Sequence, residues 1–162
     1  MRYFPALEVQ DANSSSSAVV VDDGEGDEVT LLAVRARMFQ IEKGEGWKER
    51  GAGMLKVNVP KSTVELDDDG VPEVGTFDAS ALDEDDGSTD RKNVRLIMRQ
   101  DHTLRVILNT AIVPATKFVV NQKLKATYVF FTSFDGSEAK QVQMKVSSWL
   151  ILLHNKFDTI SQ

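Results

Sequence analysis

The side chains that could carry chemistry in this chain are carboxylates and arginines, because cysteine is absent and histidine occurs only twice. Without cysteine there is no thiolate nucleophile, disulfide or cysteine-ligated metal. His102 and His154 are too far apart in sequence to suggest a metal-binding pair. No serine-nucleophile, phosphate-loop or zinc-protease motif occurs. We therefore predict that the protein is not an enzyme and has no catalytic residue, no metal and no cofactor.

Charge is distributed unevenly along the chain. The net charge of −6 over 162 residues combines acidic segments with a basic remainder. Residues 1–28 carry −6, residues 65–90 carry −11, and residues 29–64 and 91–162 together carry +11. The acidic segments have too little apolar content to hold carboxylates in a geometry for acid–base catalysis. The basic remainder predicts an anionic partner.

The segment Val94–Asn109, VRLIMRQDHTLRVILN, predicts a basic β-hairpin. Its alternation favours two strands with one buried and one outward face. The predicted buried set is Val94, Leu96, Met98, Leu104, Val106 and Leu108. A three-residue loop at Asp101–Thr103 keeps that set on one face. The resulting opposed pairs are Met98 with Val106, Ile97 with Ile107, and Arg99 with Arg105. Like charges placed opposite each other across a sheet destabilise it by about 0.2–1 kcal/mol, and an acidic ligand would relieve this repulsion between the two arginines. The alternative interpretation is an outer face that is simply solvated and binds no ligand.

Alternation predicts further strands, and a change of period predicts a terminal helix. Thr30–Ile41 places Arg35, Arg37 and Phe39 on its outward face. The other predicted strands are Met54–Val59, Leu124–Thr132 and Gln141–Ser147. Apolar residues from Trp149 to Ile160 recur with helical spacing and predict an amphipathic helix over 148–160. About six or seven antiparallel strands followed by one helix predict a mainly β barrel or sandwich whose open end the helix covers.

The domain organisation follows from composition. We predict a flexible acidic N-terminal arm over residues 1–28 and one folded domain over 29–162. Residues 60–92 combine acidic runs with Gly, Pro and Ser, which predicts a disordered acidic insertion. No apolar run approaches the length of a membrane span, so no membrane contact is expected. The absence of cysteine suits a reducing intracellular compartment.

Two other functions are compatible in principle with a basic domain. Nucleic-acid binding is disfavoured, because the acidic segments repel phosphate and the basic strand faces lack interleaved aromatic residues. A nucleic-acid binder would be retained on a polyanion column at moderate salt. A pleckstrin-like adaptor for proline-rich peptides is the main alternative, with Trp47 and Phe39 lining an aromatic groove. Peptide binding by such an adaptor would not depend on nucleotide or on salt concentration.

Several short sequence motifs together resemble those of a Ran-binding domain. They are Val34-Arg35-Ala36-Arg37-Met38-Phe39, Trp47-Lys48-Glu49-Arg50-Gly51 with Gly53 and Leu55, Arg95-Leu96-Ile97-Met98-Arg99, and Leu104–Asn109. The resemblance runs from Val29 to the C-terminus. It implies a pleckstrin-homology-like barrel of about seven antiparallel strands in two near-orthogonal sheets, capped by one C-terminal α-helix.

The resemblance also implies a function. The resemblance implies a domain that binds the small GTPase Ran in its GTP state, with the acidic C-terminal tail of Ran wrapped around a basic patch of the domain. It also implies that the domain is a monomer and that an exportin or importin is a further partner in a ternary complex. The partner-binding residues expected here are Trp47, Lys48, Glu49, Arg50, Arg35, Arg37, Arg95, Arg99, Arg105 and Asn109. Nucleocytoplasmic transport and a location in the nucleus or nuclear pore, with the cytoplasm as alternative, are the corresponding expectations.

The chain departs from the family pattern at Gln100 and in its acidic insertion, and the end of its hairpin indicates a branch of the family. Gln100 stands where many members have a second arginine, which removes one charge from the patch. Val106–Asn109 is closer to the nuclear branch of exportin cofactors and nucleoporins. The acidic insertion Glu65–Asp90 is not part of the pattern. One hypothesis is that Asp67–Asp69 and Asp83–Asp86 mimic the acidic tail of Ran, and a merely solvated insertion is the alternative.

Overall fold

The computed structural model describes residues 24–82 and 93–147, which form seven antiparallel strands in one sheet. The strands are β1 (Glu28–Glu42), β2 (Gly46–Pro60), β3 (Val94–Gln100), β4 (Val106–Ile112), β5 (Val119–Lys123), β6 (Ala126–Asp135) and β7 (Glu138–Ser147). Their spatial order is β4-β3-β2-β1-β7-β6-β5. The predicted mainly β class with about seven antiparallel strands is confirmed.

Strand β1 joins the two halves of the sheet. It pairs with β2 from Glu28 to Glu42 and with β7 from Ala36 to Gln40. The predicted division into two sheets is therefore wrong, because a 15-residue strand is long enough to hydrogen-bond on both sides and to keep the ladder continuous. Register shifts after Thr30 and Met38 interrupt the β1–β2 ladder, and such irregularities let a long strand bend and twist.

The core lies on one face of the sheet. The predicted alternation in β1 is confirmed, since Val34, Ala36 and Met38 are buried and Arg35 and Arg37 are exposed. Burying apolar side chains contributes about 25 cal/mol per Å² of apolar surface removed from water, so this alternation fixes which face turns inward. The buried members of the core cluster are Val34, Ala36, Met38, Leu55, Val57, Val59, Val94, Leu96, Met98, Leu108, Ile112, Val129, Phe131, Val142, Met144 and Val146.

The β3–β4 hairpin has a different register from the predicted one. The loop holds four residues, Asp101–Leu104, and is closed by hydrogen bonds from Leu104 N to Gln100 O (2.9 Å) and from Gln100 N to Arg105 O (2.8 Å). His102 and Leu104 adopt positive φ angles of 66° and 55°. A register shift follows between Met98 and Arg99. The observed pairs are Met98 with Leu108, Ile97 with Asn109, and Arg99 with Val106.

The altered register corrects the predicted faces of this hairpin. Leu104 and Val106, expected in the core, are 70% and 41% exposed, whereas Leu108 is buried as predicted. Ile97 is only 3% exposed although it lies on the outward face with Arg95 and Arg99. The expected repulsion between opposed arginines does not arise, because Arg99 lies opposite Val106.

Strands β2 and β3 approach closely at Gly53. A Cβ atom added there would lie 1.9 Å from the backbone oxygen of Arg99. Asp101 N donates to Ala52 O at 2.8 Å directly beside this contact. Glycine is therefore required at position 53 for the β3–β4 hairpin to dock on β2.

The described part of the predicted insertion has defined structure. Short 3₁₀ helices occupy Lys61–Thr63 and Ala79–Leu82, and Leu66 forms an isolated bridge with Pro72. The carboxylate of Asp67 accepts hydrogen bonds from Asp69 N (3.0 Å) and Val71 N (2.8 Å) within its own turn. Residues 60–82 thus differ from the predicted disorder.

Some predictions fall on residues that the structure does not describe. The helix over 148–160, the arm up to residue 23 and Asp83–Asp86 all lie outside the described residues. Within residues 24–82 and 93–147 the only helices are the two short 3₁₀ segments. No helix in this part of the chain is long and apolar enough to cross a membrane.

Candidate partner-binding surface

Five basic side chains lie on the outward face of β1, β2 and β3, and we call this set the arginine face. Arg35 and Arg37 follow from the alternation of β1, and Arg95 and Arg99 from that of β3. The fifth, Lys56 of β2, is paired with Ile97 and thus lies between the positions of Arg95 and Arg99. The members of the arginine face are Arg35, Arg37, Lys56, Arg95 and Arg99.

The chain covers one end of the arginine face with its own carboxylates. Gly24–Glu28, which we call the acidic turn, is closed by a hydrogen bond from Glu28 N to Glu25 O of 3.0 Å. Glu28 accepts a hydrogen bond from Arg95 Nε at 2.6 Å. Glu25 accepts one from Arg99 Nη2 at 2.7 Å. The Nζ atom of Lys56 lies 3.7 Å from Glu25.

A buried amide holds the acidic turn in place. Asn58 is 1% exposed although it points outward from β2. Its Nδ2 donates to Glu25 and to Glu28, each at 3.1 Å, and its Oδ1 accepts from Thr30 Oγ1 at 2.9 Å. A buried amide without these partners would cost about 1–3 kcal/mol, so Asn58 and the turn stabilise each other.

Backbone hydrogen bonds fasten the same turn at its ends. Arg95 Nη2 donates to Gly24 O at 2.7 Å. Lys61 donates its Nζ to Gly26 O at 2.7 Å and its backbone N to Asp27 O at 3.0 Å. The acidic turn is therefore integrated into the fold from Gly24 onward.

The ionisation of Glu25 reflects these contacts. Burial raises the pKa of this carboxyl, but hydrogen bonds from Arg99 and Asn58, together with the charge of Lys56, outweigh burial and leave the pKa below its ordinary value. A lowered pKa means that the folded state favours the carboxylate. Arg95 and Arg99 are thus neutralised by carboxylates of the same chain.

Arg35 and Arg37 are more accessible than Arg95 and Arg99. Arg35 forms a bidentate pair with Asp101, whose own exposure is 25%, while the Arg35 side chain is 68% exposed. Arg37 is 61% exposed and lies 3.9 Å from Glu49. Exposed pairs of this kind contribute about 0–1 kcal/mol, so both arginines can exchange partners easily.

The Trp47–Arg50 segment begins β2 at the tip of the β1–β2 hairpin. Lys48 contacts Glu42 at 2.9 Å and also Glu45. The hydrogen bonds that Lys48 donates to Glu45, the larger effect, and to Glu42 raise the pKa of Lys48, and the bond that Glu42 accepts from Lys48 lowers the pKa of Glu42. Arg50 Nη2 lies 2.7 Å from Glu42. The charges at the tip are largely compensated within the hairpin.

Trp47 packs on the neighbouring half of the sheet. Its ring meets that of Phe130 of β6 edge-on, with centroids 5.9 Å apart and planes at 66°, and the residue is 41% exposed. Among the described residues, the ring contact of Trp47 is with Phe130 and not with Phe39, the residue with which it is predicted to line an aromatic groove.

The predicted site residues do not form a single cluster. Arg95 and Asn109 meet at one end of the sheet, with Arg95 Nη1 3.4 Å from Asn109 Oδ1, and Arg99 follows along β3. Trp47, Lys48, Glu49 and Arg50 lie at the hairpin tip, with Arg35 and Arg37 between the groups on β1. Arg105 is exposed beside the β3–β4 loop and forms no ion pair with a described residue.

Sequence reasoning missed Glu25, Glu28, Asn58 and Lys56 as members of this surface. The only local signal was an amide, Asn58, among the buried residues at the end of β2. The carboxylates were instead assigned to a flexible arm. Of the aspartates predicted to mimic the acidic tail, Asp67–Asp69 are described and form no ion pair with the arginine face, and Asp67 accepts hydrogen bonds within its own turn.

Comparison with known proteins then identifies the family. The family model for the RanBP1 domain matches residues 20–66 and 86–156 of this chain. The chain belongs to the RanBP1 domain family. The two matched stretches leave out residues 67–85, which lie in the predicted insertion.

Relatives and solved structures give further likenesses. The chain is 64% identical over 129 residues to nucleoporin NUP56 of Chaetomium thermophilum, covering 80% of this chain and 24% of the relative. It is 29% identical over 135 residues to nuclear pore complex protein NUP50B of Arabidopsis thaliana, covering 83% of this chain and 23% of the relative. The chain therefore spans about a quarter of the length of these relatives. The Ran-binding domain of Nup2 from Ashbya gossypii aligns with a TM-score of 0.48 and 17% identity over 75% of this chain and 82% of that one.

Proposed function

We propose that this chain is a non-enzymatic binding module for the small GTPase Ran in its GTP state and acts in nucleocytoplasmic transport. The observation that carries the proposal is the match of the RanBP1 domain to most of the chain, including the strands that bear the arginine face. Within the described residues, no group of three or more metal-ligating side chains is present.

The partner surface that we propose is the outward face of β1–β4 together with the hairpin tip. Arg35 and Arg37 are the most accessible cations of the arginine face, and the acidic tail of Ran would compete for them with Asp101 and Glu49. The remaining predicted contacts, namely Trp47, Lys48, Glu49, Arg50, Arg95, Arg99, Arg105 and Asn109, stay part of the proposal. Electrostatic attraction of this kind accelerates association and weakens as salt rises.

The cellular setting is proposed from the relatives. The names of the nucleoporin and the nuclear pore complex protein support a location at the nuclear pore or in the nucleus. There the module would release Ran-GTP from transport carriers and assist GTPase activation, or would act as an exportin cofactor in a ternary complex. The match covers only about a quarter of those relatives, so this proposal concerns the module alone.

A capture experiment with three forms of the partner tests the proposal. We expect the immobilised chain to retain Ran-GTP strongly, and to retain Ran-GDP and Ran-GTP without its acidic tail at least about tenfold less well at low salt. Addition of an exportin to the same mixture tests ternary binding. Equal retention of all three forms would refute the proposal, and retention of a proline-rich peptide regardless of nucleotide and salt would favour the adaptor alternative.

A further inference from the structure

Ser62 presents a hydroxyl group to solvent just ahead of a run of carboxylates. It lies in the short 3₁₀ helix Lys61–Thr63 that follows β2, and the residue is exposed. Its hydroxyl forms no hydrogen bond with another described residue. Glu65 stands three positions after Ser62, and Asp67–Asp69 stand five to seven positions after it. We call the segment from Ser62 to Asp69 the acidic serine motif.

The carboxylates of this motif are available to a partner. Glu65 and Asp67–Asp69 are exposed and form no ion pair with a described residue. In an extended chain a carboxylate three residues after a serine lies about 10 Å from it. Protein kinases discriminate between substrates by such charge patterns, and an acidophilic kinase binds downstream carboxylates with basic groups beside its active site. The motif therefore has the pattern of a substrate for an acidophilic serine kinase.

The neighbouring hydroxyl groups are engaged within the fold. Thr63 is only 1% exposed, and its Oγ1 donates to Pro60 O at 2.7 Å. Ser80 is exposed, but its Oγ donates to the Asp78 carboxylate at 2.6 Å, and its backbone N donates to the same oxygen at 2.9 Å. Ser62 is thus the acceptor in this region whose hydroxyl is both exposed and free of a partner among the described residues.

The 3₁₀ helix that carries Ser62 is weakly held. The backbone hydrogen bond that closes it, from Val64 N to Lys61 O, is long at 3.4 Å. Helices of this kind are short and have poor hydrogen-bond geometry. Segments with few and exposed backbone hydrogen bonds open locally at little cost in free energy. The motif can therefore adopt the extended conformation that a kinase requires.

Ser62 directly follows the residue that fastens the acidic turn. Lys61 donates its Nζ to Gly26 O at 2.7 Å and its backbone N to Asp27 O at 3.0 Å. Glu28 lies opposite Pro60 in the β1–β2 ladder. A phosphoserine carries about −1.5 to −2 charges at neutral pH. At position 62 this charge would attract the Lys61 ammonium away from Gly26 and repel the carboxylates of Asp27 and Glu28.

We propose that Ser62 is a phosphorylation site for an acidophilic serine kinase and that its phosphate loosens the acidic turn. In this reaction Ser62 Oγ forms a bond to the γ-phosphorus of ATP, the bond from that phosphorus to the β–γ bridging oxygen breaks, and ADP leaves. The hydroxyl proton passes to the catalytic carboxylate of the kinase. This modification goes beyond the proposed function and does not depend on the binding of Ran.

The first test measures phosphate transfer to the whole chain. Casein kinase 2 and ATP serve as the probe, and peptide mass spectrometry locates the phosphate. Glu65→Gln removes the carboxylate three positions after Ser62, and Glu73→Gln makes the same change at an exposed position outside the motif. We expect the initial rate at Ser62 to fall about tenfold in Glu65→Gln and to stay unchanged in Glu73→Gln. Ser137, exposed in the β6–β7 turn with Lys140 three positions later, should remain unmodified.

Three outcomes would overturn the assignment of the site. They are no phosphate at Ser62, equal rates in Glu65→Gln and Glu73→Gln, and phosphate at Ser80 with none at Ser62. Circular dichroism of both variants verifies that the fold is intact, so a reduced rate in Glu65→Gln reports recognition by the kinase.

The second test measures the effect on the acidic turn. Hydrogen exchange is followed by NMR in the phosphorylated chain and in Ser62→Ala treated with the same kinase and ATP. The amides of Lys61, bonded to Asp27 O, and Glu28, bonded to Glu25 O, should exchange at least about threefold faster in the phosphorylated chain. The amide of Asp101, bonded to Ala52 O, should be unaffected. Unchanged exchange at both Lys61 and Glu28 would overturn the proposed effect of the phosphate.

Discussion

The acidic turn makes a specific contribution to stability that one substitution isolates. Glu25→Gln removes a carboxylate that accepts hydrogen bonds from Arg99 at 2.7 Å and from Asn58 at 3.1 Å. Hydrogen bonds to charged groups contribute about 1.5–3 kcal/mol each, but glutamine keeps one oxygen acceptor, and the Arg99 side chain is 31% exposed, so water can replace part of the interaction. We therefore expect the free energy of unfolding to fall by about 1–2 kcal/mol.

Equilibrium urea unfolding at neutral pH measures this change. Glu73→Gln makes the same chemical change at an exposed position of the insertion and should alter the free energy of unfolding by less than about 0.5 kcal/mol. A loss in Glu25→Gln no larger than that of the control would refute the assignment of the acidic turn to the folded domain. Because a domain of this size is stable by about 5–15 kcal/mol, the variant should remain folded and measurable.

The pH dependence gives an independent check on the same residue. The pKa of Glu25 is lowered in the folded chain, so its contribution is present above the unfolded value of about 4.3 and is lost as pH falls through the lower folded value. The stability difference between the unmodified chain and Glu25→Gln should therefore be constant near neutral pH and should shrink below about pH 4. A difference that grew on acidification would contradict the sign of this linkage.

Two further substitutions test the β2–β3 contact and the exposed cations. Gly53→Ala should lower the free energy of unfolding in urea by more than about 3 kcal/mol, because its Cβ would lie 1.9 Å from the backbone oxygen of Arg99. Gly26→Ala, with open space around it, should leave the free energy of unfolding nearly unchanged. Equal effects of the two substitutions would contradict the close approach of β2 and β3. Arg37→Glu should weaken binding of Ran-GTP about three- to tenfold at low salt. The midpoint of urea unfolding should not change, since the Arg37 side chain is 61% exposed. An unchanged affinity would remove Arg37 from the proposed surface.

Arg99→Glu is a poor test of partner binding, although Arg99 is one of the predicted partner-binding residues. The substitution would place a second carboxylate beside Glu25, which is only 12% exposed, and so would destabilise the acidic turn. A loss of affinity could then arise from the fold. The exposed position 37 avoids this ambiguity.

The strands were predictable wherever one side chain in two is apolar. Val34, Ala36 and Met38 in β1, and Val142, Met144 and Val146 in β7, are buried as their alternation predicts. The β3–β4 hairpin was predicted with the wrong register, because a four-residue loop with two positive φ angles and a shift after Met98 leave no clear mark in the sequence. Periodicity reports the face of a residue but not the residue opposite it.

The sequence by itself determined the class of fold and the motifs of the family. It also determined that Arg35, Arg37, Arg95 and Arg99 point outward, since the face of a strand residue follows from its neighbours two positions away. Only the tertiary structure decided which of those charges are accessible. Glu28 reaches Arg95 across 67 positions of the chain and Glu25 reaches Arg99 across 74, and these pairings depend on the order and register of strands that are distant in sequence. The same order brings Lys123, Tyr128 and Lys145 together, because ion pairs and cation–π contacts act over a few ångströms and only the folded sheet sets those distances.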